Sequence, residues 1–148
     1  MSLRFREKIQ AVPRCSELTE TKIHVAAGIL IDSVGRLLIT DRSRAKSMRG
    51  FWEFPGGKLA SGESAEDALR RELAEELEIE IVSFEYFCSL GHDYPGMRVA
   101  IDFFLVRQWQ GTPSGIEGQA LQWLRPSEFS PGLLLPADAP LLDLLQNL

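Results

Sequence analysis

Three glutamates, Glu72, Glu75 and Glu76, stand three and four residues apart within AEDALRRELAEEL. On a helix, residues so spaced are neighbours. Counted from Leu69 at about 100° per residue, Leu73 and Leu77 fall at about 40° and 80°, and Ala65 and Ala68 at about 320° and 260°. By the same count Glu76, Glu72 and Glu75 fall at about 340°, 300° and 240°. The acids therefore lie inside or beside the apolar arc, while Asp67 and Arg71 point away from it. A glutamate-rich stretch is ordinarily a solvated helix face. Three like charges beside apolar surface instead repel one another and lose hydration. A hard divalent cation, Mg²⁺ or alternatively Mn²⁺, takes carboxylate oxygens and removes both penalties. The spacing predicts a metal site on this helix.

Such side chains need a frame. The helix is expected at about 65–77, with Ser64 as N-cap and Glu66 and Asp67 at the positive end of its dipole. Upstream, KIHVAAGILI reads as a buried strand and RLLIT as a second, with Asp32-Ser33-Val34-Gly35 turning between them, so a hairpin is expected. Asp41 to Gly50 is a polar, basic loop. The short aromatic segment Phe51–Phe54 is closed by Pro55-Gly56-Gly57. Strands are expected at about 80–90 and 99–109, linked by 91–96. A Gly/Pro loop follows at 111–118, then a short apolar segment at 121–124. Pro126 suits the first position of a helical turn, and a last helix is expected from about Ala139 to Leu148. Strands, helix, strands, helix predict an α/β (α+β) sandwich with a mixed sheet between helices. Residues 1–21 lack periodicity and read as an N-terminal extension; 22–148 read as one domain.

From Gly57 the chain reads GKLASGESAEDALRRELAEELEI. This resembles the Nudix hydrolase box, G-x5-E-x7-R-E-U-x-E-E-x-G-U with U apolar. Gly57, Glu63, Arg71, Glu72, Leu73, Glu75, Glu76 and Ile79 fall in place. Glu78 departs from the pattern: the family has Gly there, closing the helix in the left-handed conformation. Outside the box, Gly50 to Lys58, the Trp109 to Gly111 region, Glu117-Gly118-Gln119 and Pro136-Ala137-Asp138 are similar to the MutT branch, which sanitises oxidised nucleotides. The resemblance covers about residues 22–146 and implies a Nudix-type sandwich.

It also implies roles. Glu72, Glu75 and Glu76 would coordinate metal around the substrate phosphates, with the Gly56 carbonyl as a further ligand. Gly56 and Gly57 taken alone read as a tight turn needing positive φ. Glu63 and Arg71 would pair and pin the preceding loop to the helix. Glu117, alone an ordinary surface acid, would ligate metal or act as base; Glu72 is the other candidate base. Arg42, alone a solvated arginine, would contact base or sugar, and its planar donor fork suits an 8-oxo or O6 carbonyl. Asp138 reads as a cap of the last helix, or as the reader of the purine edge, where the MutT branch often has Asn. An ionised Asp only accepts. That suits guanine N1–H or the N7–H of 8-oxoguanine, and some relatives that prefer cytidine nucleotides also carry Asp. Phe54 and Tyr94 divide between base stacking and core. Trp52, Trp109 and Trp123 read as packing, and His24 and His92 lack partner spacing. Lys58 after two glycines is not a P-loop, because Leu59 stands where Ser or Thr is required.

The implied reaction is Mg²⁺-dependent hydrolysis of a nucleoside triphosphate to monophosphate and pyrophosphate. The favoured substrate is 8-oxo-dGTP and the alternative another (d)NTP, such as a modified CTP. A non-catalytic module reading 8-oxoguanine in DNA is opposed by the full acidic set. Composition narrows the rest. At 148 residues, 45% hydrophobic and 25% charged, the chain is one ordinary domain. Cys15 and Cys88, without CxxC or His spacing, argue for a reducing compartment and against a zinc site. A net charge of −5 and a pI near 5.1 disfavour nucleic acid as partner. No apolar run reaches the ~20 residues of a membrane helix, and the N-terminus lacks an apolar signal core. The expectation is a soluble, cytoplasmic monomer or homodimer.

Overall fold

The computed structural model describes residues 21–147 except Arg44. Residues 1–20 of the expected extension lie outside the described residues. The strands are β1 Thr21–Leu30, β2 Leu37–Asp41, β3 Trp52–Glu53, β4 Gly56–Lys58, β5 Glu80–Tyr94, β6 Met97–Gln110 and β7 Leu121–Leu124. The helices are α1 Ala65–Leu77 and α2 Leu141–Leu145, with a 3-10 turn at Pro126–Glu128.

The second half of β1, Ala26 to Leu30, is apolar because it is buried on both sides, as central parallel strands are. The strand lies between β4, antiparallel, and β6, parallel, in a sheet of order β4-β1-β6-β5. Ala27, Ile29 and Ile31 enter one core with Phe54, Phe103 and α2, while Ala26 and Leu30 enter the other against α1. β2 belongs to a second sheet of order β3-β2-β7. The expected β1–β2 hairpin is therefore corrected: the two strands meet only at the Ile31↔Leu37 bridge and diverge into separate sheets. Leu37 and Ile39 enter the first core and Leu38 the second, so β2 needs burial on both sides.

Two further boundaries differ. β5 and β6 run through the expected 91–96 loop, down to the pairs His92↔Val99 and Tyr94↔Met97, which leaves Pro95 and Gly96 as the turn. The last helix is only Leu141–Leu145, because backbone turns occupy the preceding residues. Helix α1 matches its expected span. Ser64 Oγ accepts the Asp67 amide at 3.1 Å, and Ala68, Leu69, Leu73 and Leu77 are fully buried. Glu78 ends the helix at φ 59°, ψ 40°, its N–H donating to Ala74 O.

Candidate active site

Helix α1 carries the acids to the sheet edge at β4. Two glycines make this approach. A Cβ at Gly56 would fall on the backbone oxygen of Ala26, and one at Gly57 on the carboxylate of Glu72. Gly56-Gly57 is thus a strand under close approach and not the expected tight turn. In return the Gly56 N–H donates to Glu76 Oε2 at 3.2 Å.

Arg71 organises the box. It donates to both oxygens of Glu63, each at 2.9 Å, to Glu72 Oε1 at 2.9 Å and to Lys58 O at 3.1 Å. These bonds, joined by the Ala60 N–H, hold the Glu63 carboxyl at about 2. The loop and helix are pinned together, as expected. Glu75 is exposed and turns towards Arg71 at 3.4 Å. The three helix acids are therefore not one tight cluster: Glu72 and Glu76 face the strand, and Glu75 lies outside them.

Glu76 faces other carboxylates. Burial, then the charge of Glu72, with further pushes from Glu53 and Glu117, raises it to about 8 against the pull of the Gly56 N–H. Glu53, Glu76 and Glu117 line one small cleft of about 140 Å³ with Thr40, Asp41, Arg42 and Gln119. Glu117 comes from the β6–β7 loop, which packs on the end of α1: Ser114 N–H donates to Leu77 O and Ile116 N–H to Glu76 O.

A second cleft of about 320 Å³ adjoins the first, sharing Arg42 and Glu53. Arg42 Nη1 donates to Glu53 Oε2 at 2.8 Å and Nη2 to Ser47 O at 3.2 Å. Its Nε is buried and bonds to no atom among the described residues. Asp138 is 4% exposed, and its Oδ2 accepts the Phe54 N–H at 3.1 Å. The capping expectation is corrected here: the carboxylate turns inward, and the short helix has Pro140 as its N-cap and no side-chain cap. Burial, then the nearby Glu53 charge, raises Asp138 to about 7, with the Phe54 N–H and Arg42 pulling down. Tyr94 lines the same cleft, its hydroxyl accepting the Ala137 N–H at 3.1 Å, and burial raises its pKa. The Phe54 ring is a core ring, edge-on to Phe103 and stacked on Phe129, that forms the cleft's inner wall. Trp109 and Trp123 stack on each other as packing.

Among the described residues no three His, Cys, Asp or Glu side chains are gathered closely enough to hold a metal ion as they stand. The donor chemistry nevertheless fits a hard cation. The acids facing the small cleft are carboxylates, the charges of Glu53 and Glu117 help raise the proton affinity of Glu76, and a cation between them would remove that repulsion. A larger groove of about 630 Å³, lined by Ile31, Leu37, Arg107 and Arg125 among others, contains no acid and none of the box residues.

Sequence reasoning missed Glu53, which connects the two clefts. Its signal is an acid inside an aromatic segment, three residues before Gly56; its neighbours Trp52 and Phe54 pack into the core. It also missed Gln119 as more than part of a tripeptide.

A family model described as the NUDIX domain matches residues 22–145. An 8-oxo-dGTP diphosphatase of Haemophilus influenzae is 38% identical over 84% of this chain and 92% of that protein. A CTP pyrophosphohydrolase of Escherichia coli is 40% identical over 82% of this chain and 89% of its own length. Among solved structures, a MutT from work on Aliivibrio salmonicida and Vibrio cholerae superposes with TM-score 0.71 at 34% identity, covering 85% of this chain and 97% of that one. The Escherichia coli ORF135 protein does so with TM-score 0.75 at 37% identity, covering 86% and 91%.

Proposed function

We propose a Mg²⁺-dependent nucleoside triphosphate pyrophosphohydrolase, on the premise that this chain belongs to the NUDIX domain family. One observation carries the reading: a cleft of mutually repelling carboxylates, Glu53, Glu76 and Glu117, adjoins a larger cleft lined by Arg42, Tyr94 and Asp138. The first suits cation-bound phosphates and the second a base.

Glu76, Glu72 and Glu117, with the backbone at Gly56, are the groups that would hold Mg²⁺ or Mn²⁺; Glu75, exposed, is an outer member. Such a cation neutralises phosphate charge and makes water more acidic. Glu72 or Glu117 orients the attacking water and takes its proton. The water oxygen ends on phosphorus, one phosphoric anhydride bond breaks, and monophosphate and pyrophosphate leave. Glu63, Arg71 and Gly57 hold the frame. Arg42 offers its fork to a carbonyl of the base.

The favoured substrate is 8-oxo-dGTP, in keeping with the diphosphatase relatives. Asp138 favours a second reading: a carboxylate accepts from the cytosine N4 amino group, and one relative is a CTP pyrophosphohydrolase. The proposed setting is a cytoplasmic monomer or homodimer without nucleic acid; no described helix is long and apolar enough to cross a membrane.

The test is a steady-state survey of 8-oxo-dGTP, dGTP, CTP and modified CTP with Mg²⁺, beside Glu76→Gln. The expected result is preference for 8-oxo-dGTP and a loss of about a thousandfold in the variant, its fold unchanged by circular dichroism. Turnover of 8-oxo-dGTP no better than dGTP would overturn the substrate assignment. Wild-type turnover of Glu76→Gln at saturating Mg²⁺ would overturn the metal role.

A further inference from the structure

The last carbonyls of a helix have no donors within it. Here the β6–β7 loop supplies them: Ser114 N–H reaches Leu77 O at 3.0 Å and Ile116 N–H reaches Glu76 O at 3.2 Å. Those two backbone bonds already cap α1. Gln119 adds something the cap does not need. Its Nε2 donates to the same Glu76 carbonyl at 3.0 Å, while its Oε1 accepts the backbone N–H of Glu117 at 2.9 Å. One side chain therefore ties together the main chains of the two residues whose carboxylates face each other in the small cleft. The amide orientation is unique, because only NH₂ can serve the carbonyl and only the oxygen can serve the N–H. Beyond Gln119 the loop is anchored again: Ala120 N–H donates to Asp41 Oδ1 at 2.9 Å, and Asp41 N–H to Ala120 O at 3.1 Å. Glu117 itself is exposed. The Glu117 N–H itself is held by the Gln119 amide oxygen.

We propose that Gln119 is a positioning residue that fixes Glu117 opposite Glu76 and thereby sets the affinity of the small cleft for a divalent cation. This rests on the reading that the cleft holds such a cation. No neighbouring side-chain type does the same work. Glu lacks the donor for the Glu76 carbonyl, Asn is about 1.5 Å short, and Met has the length but neither bond. Groups that orient a ligand without touching the metal commonly contribute about tenfold to a hundredfold in affinity.

The experiment uses the full chain and Mn²⁺ alone, without nucleotide. Mn²⁺ affinity is measured by calorimetry for the parent, Gln119→Met, Glu117→Gln and the double variant. Exchange of the Glu117 amide is followed in the metal-free proteins. Gln119→Met should weaken Mn²⁺ about tenfold, speed exchange at Glu117, and leave exchange in the core of α1 unchanged. In the Glu117→Gln background it should add less than about twofold, because the residue it positions no longer ligates. With nucleotide, the Mn²⁺ requirement should rise while KM at saturating Mn²⁺ holds. Gln119→Asn, which keeps the polarity and loses the reach, should behave alike and replaces Gln119→Met should that variant unfold. Unchanged Mn²⁺ affinity in the Gln119 variant, beside a clear loss in Glu117→Gln, overturns the positioning role and leaves the cation reading standing. Unchanged affinity in Glu117→Gln overturns the reading of Glu117 and the positioning role with it.

Discussion

Arg42 Nη1 donates to Glu53 Oε2 at 2.8 Å, and this ion pair is the partition between the carboxylate cleft and the larger cleft beside it. Both side chains border both spaces. Glu53 also raises the proton affinity of Glu76 on one side and of Asp138 on the other. A residue facing two ways in this manner couples the place where phosphates would sit to the place where a base would.

Glu53→Gln should therefore act on binding before chemistry. Glutamine still accepts from the Arg42 guanidinium, but the ion pair becomes a bond to a neutral acceptor, a difference of about 1 kcal/mol. KM for the nucleotide should rise about fivefold, with kcat changed less. The pair is partly exposed, at 21% and 31% of its side chains, so stability should move by less than about 1 kcal/mol. Steady-state kinetics check this, and a fall in kcat at constant KM contradicts it.

The two glycines of β4 should fail differently. In Gly56→Ala the new methyl meets the Ala26 backbone, which cannot yield without disturbing β1. Overpacking of that kind costs roughly 1–3 kcal/mol, visible as a lower midpoint in urea. In Gly57→Ala the three atoms nearest the new methyl all belong to the Glu72 carboxylate, a side-chain end that can swing aside. That variant should keep its midpoint more nearly and lose turnover. Equal destabilisation of the two would show that the Glu72 side chain is as immovable as the backbone.

Asp138 gives a pH dependence with a definite sign. Its carboxyl ionises at about 7 in the folded chain, against 3.8 ordinarily. The folded state thus holds the proton more tightly than the unfolded one. The stabilisation is complete below about 3.8 and is lost as pH rises to about 7, after which the loss is constant. Asp138→Asn resembles the protonated form and can still accept from Phe54 N–H. Its stability should match the parent near pH 3.5 and exceed it at pH 8 by roughly 4 kcal/mol. Denaturant unfolding at the two pH values checks this, and a pH-independent difference would contradict it.

Helix α1 was legible because three signals agree on it: the Ser64 cap, the acidic first turn and the apolar stripe that buries Ala68, Leu69, Leu73 and Leu77. The Arg71–Glu63 pair was legible through the resemblance to the Nudix box, which implies it for these two positions. The β1–β2 hairpin was not, because a turn signal reports that the chain reverses and not which neighbour each strand then takes; β1 takes β4 and β6, both distant in sequence. Glu53 and Gln119 were hidden for a related reason. Their importance comes from lying between elements that only tertiary packing brings together, 11 residues from Arg42 in one case and 43 from Glu76 in the other. The inward turn of Asp138 towards Phe54, 84 residues away, is equally non-local.

Glu78 holds the position where the box has Gly, and the structure shows the same left-handed backbone there, φ 59° and ψ 40°. An L-residue with a side chain costs about 1–2 kcal/mol in that conformation. Glycine removes the cost and gives back part of it, about 0.4–1 kcal/mol, through a freer unfolded chain. Glu78→Gly should therefore stabilise the protein by about 0.5–1 kcal/mol, raising Tm by roughly 2–4 °C in a chain of this size. The Glu78 N–H to Ala74 O bond is a backbone bond and survives the change. The side chain is exposed and outside both clefts, so kcat should stay within about twofold. Calorimetric melting decides it: an unchanged or lower Tm would mean that the glutamate side chain contributes contacts that offset its backbone strain.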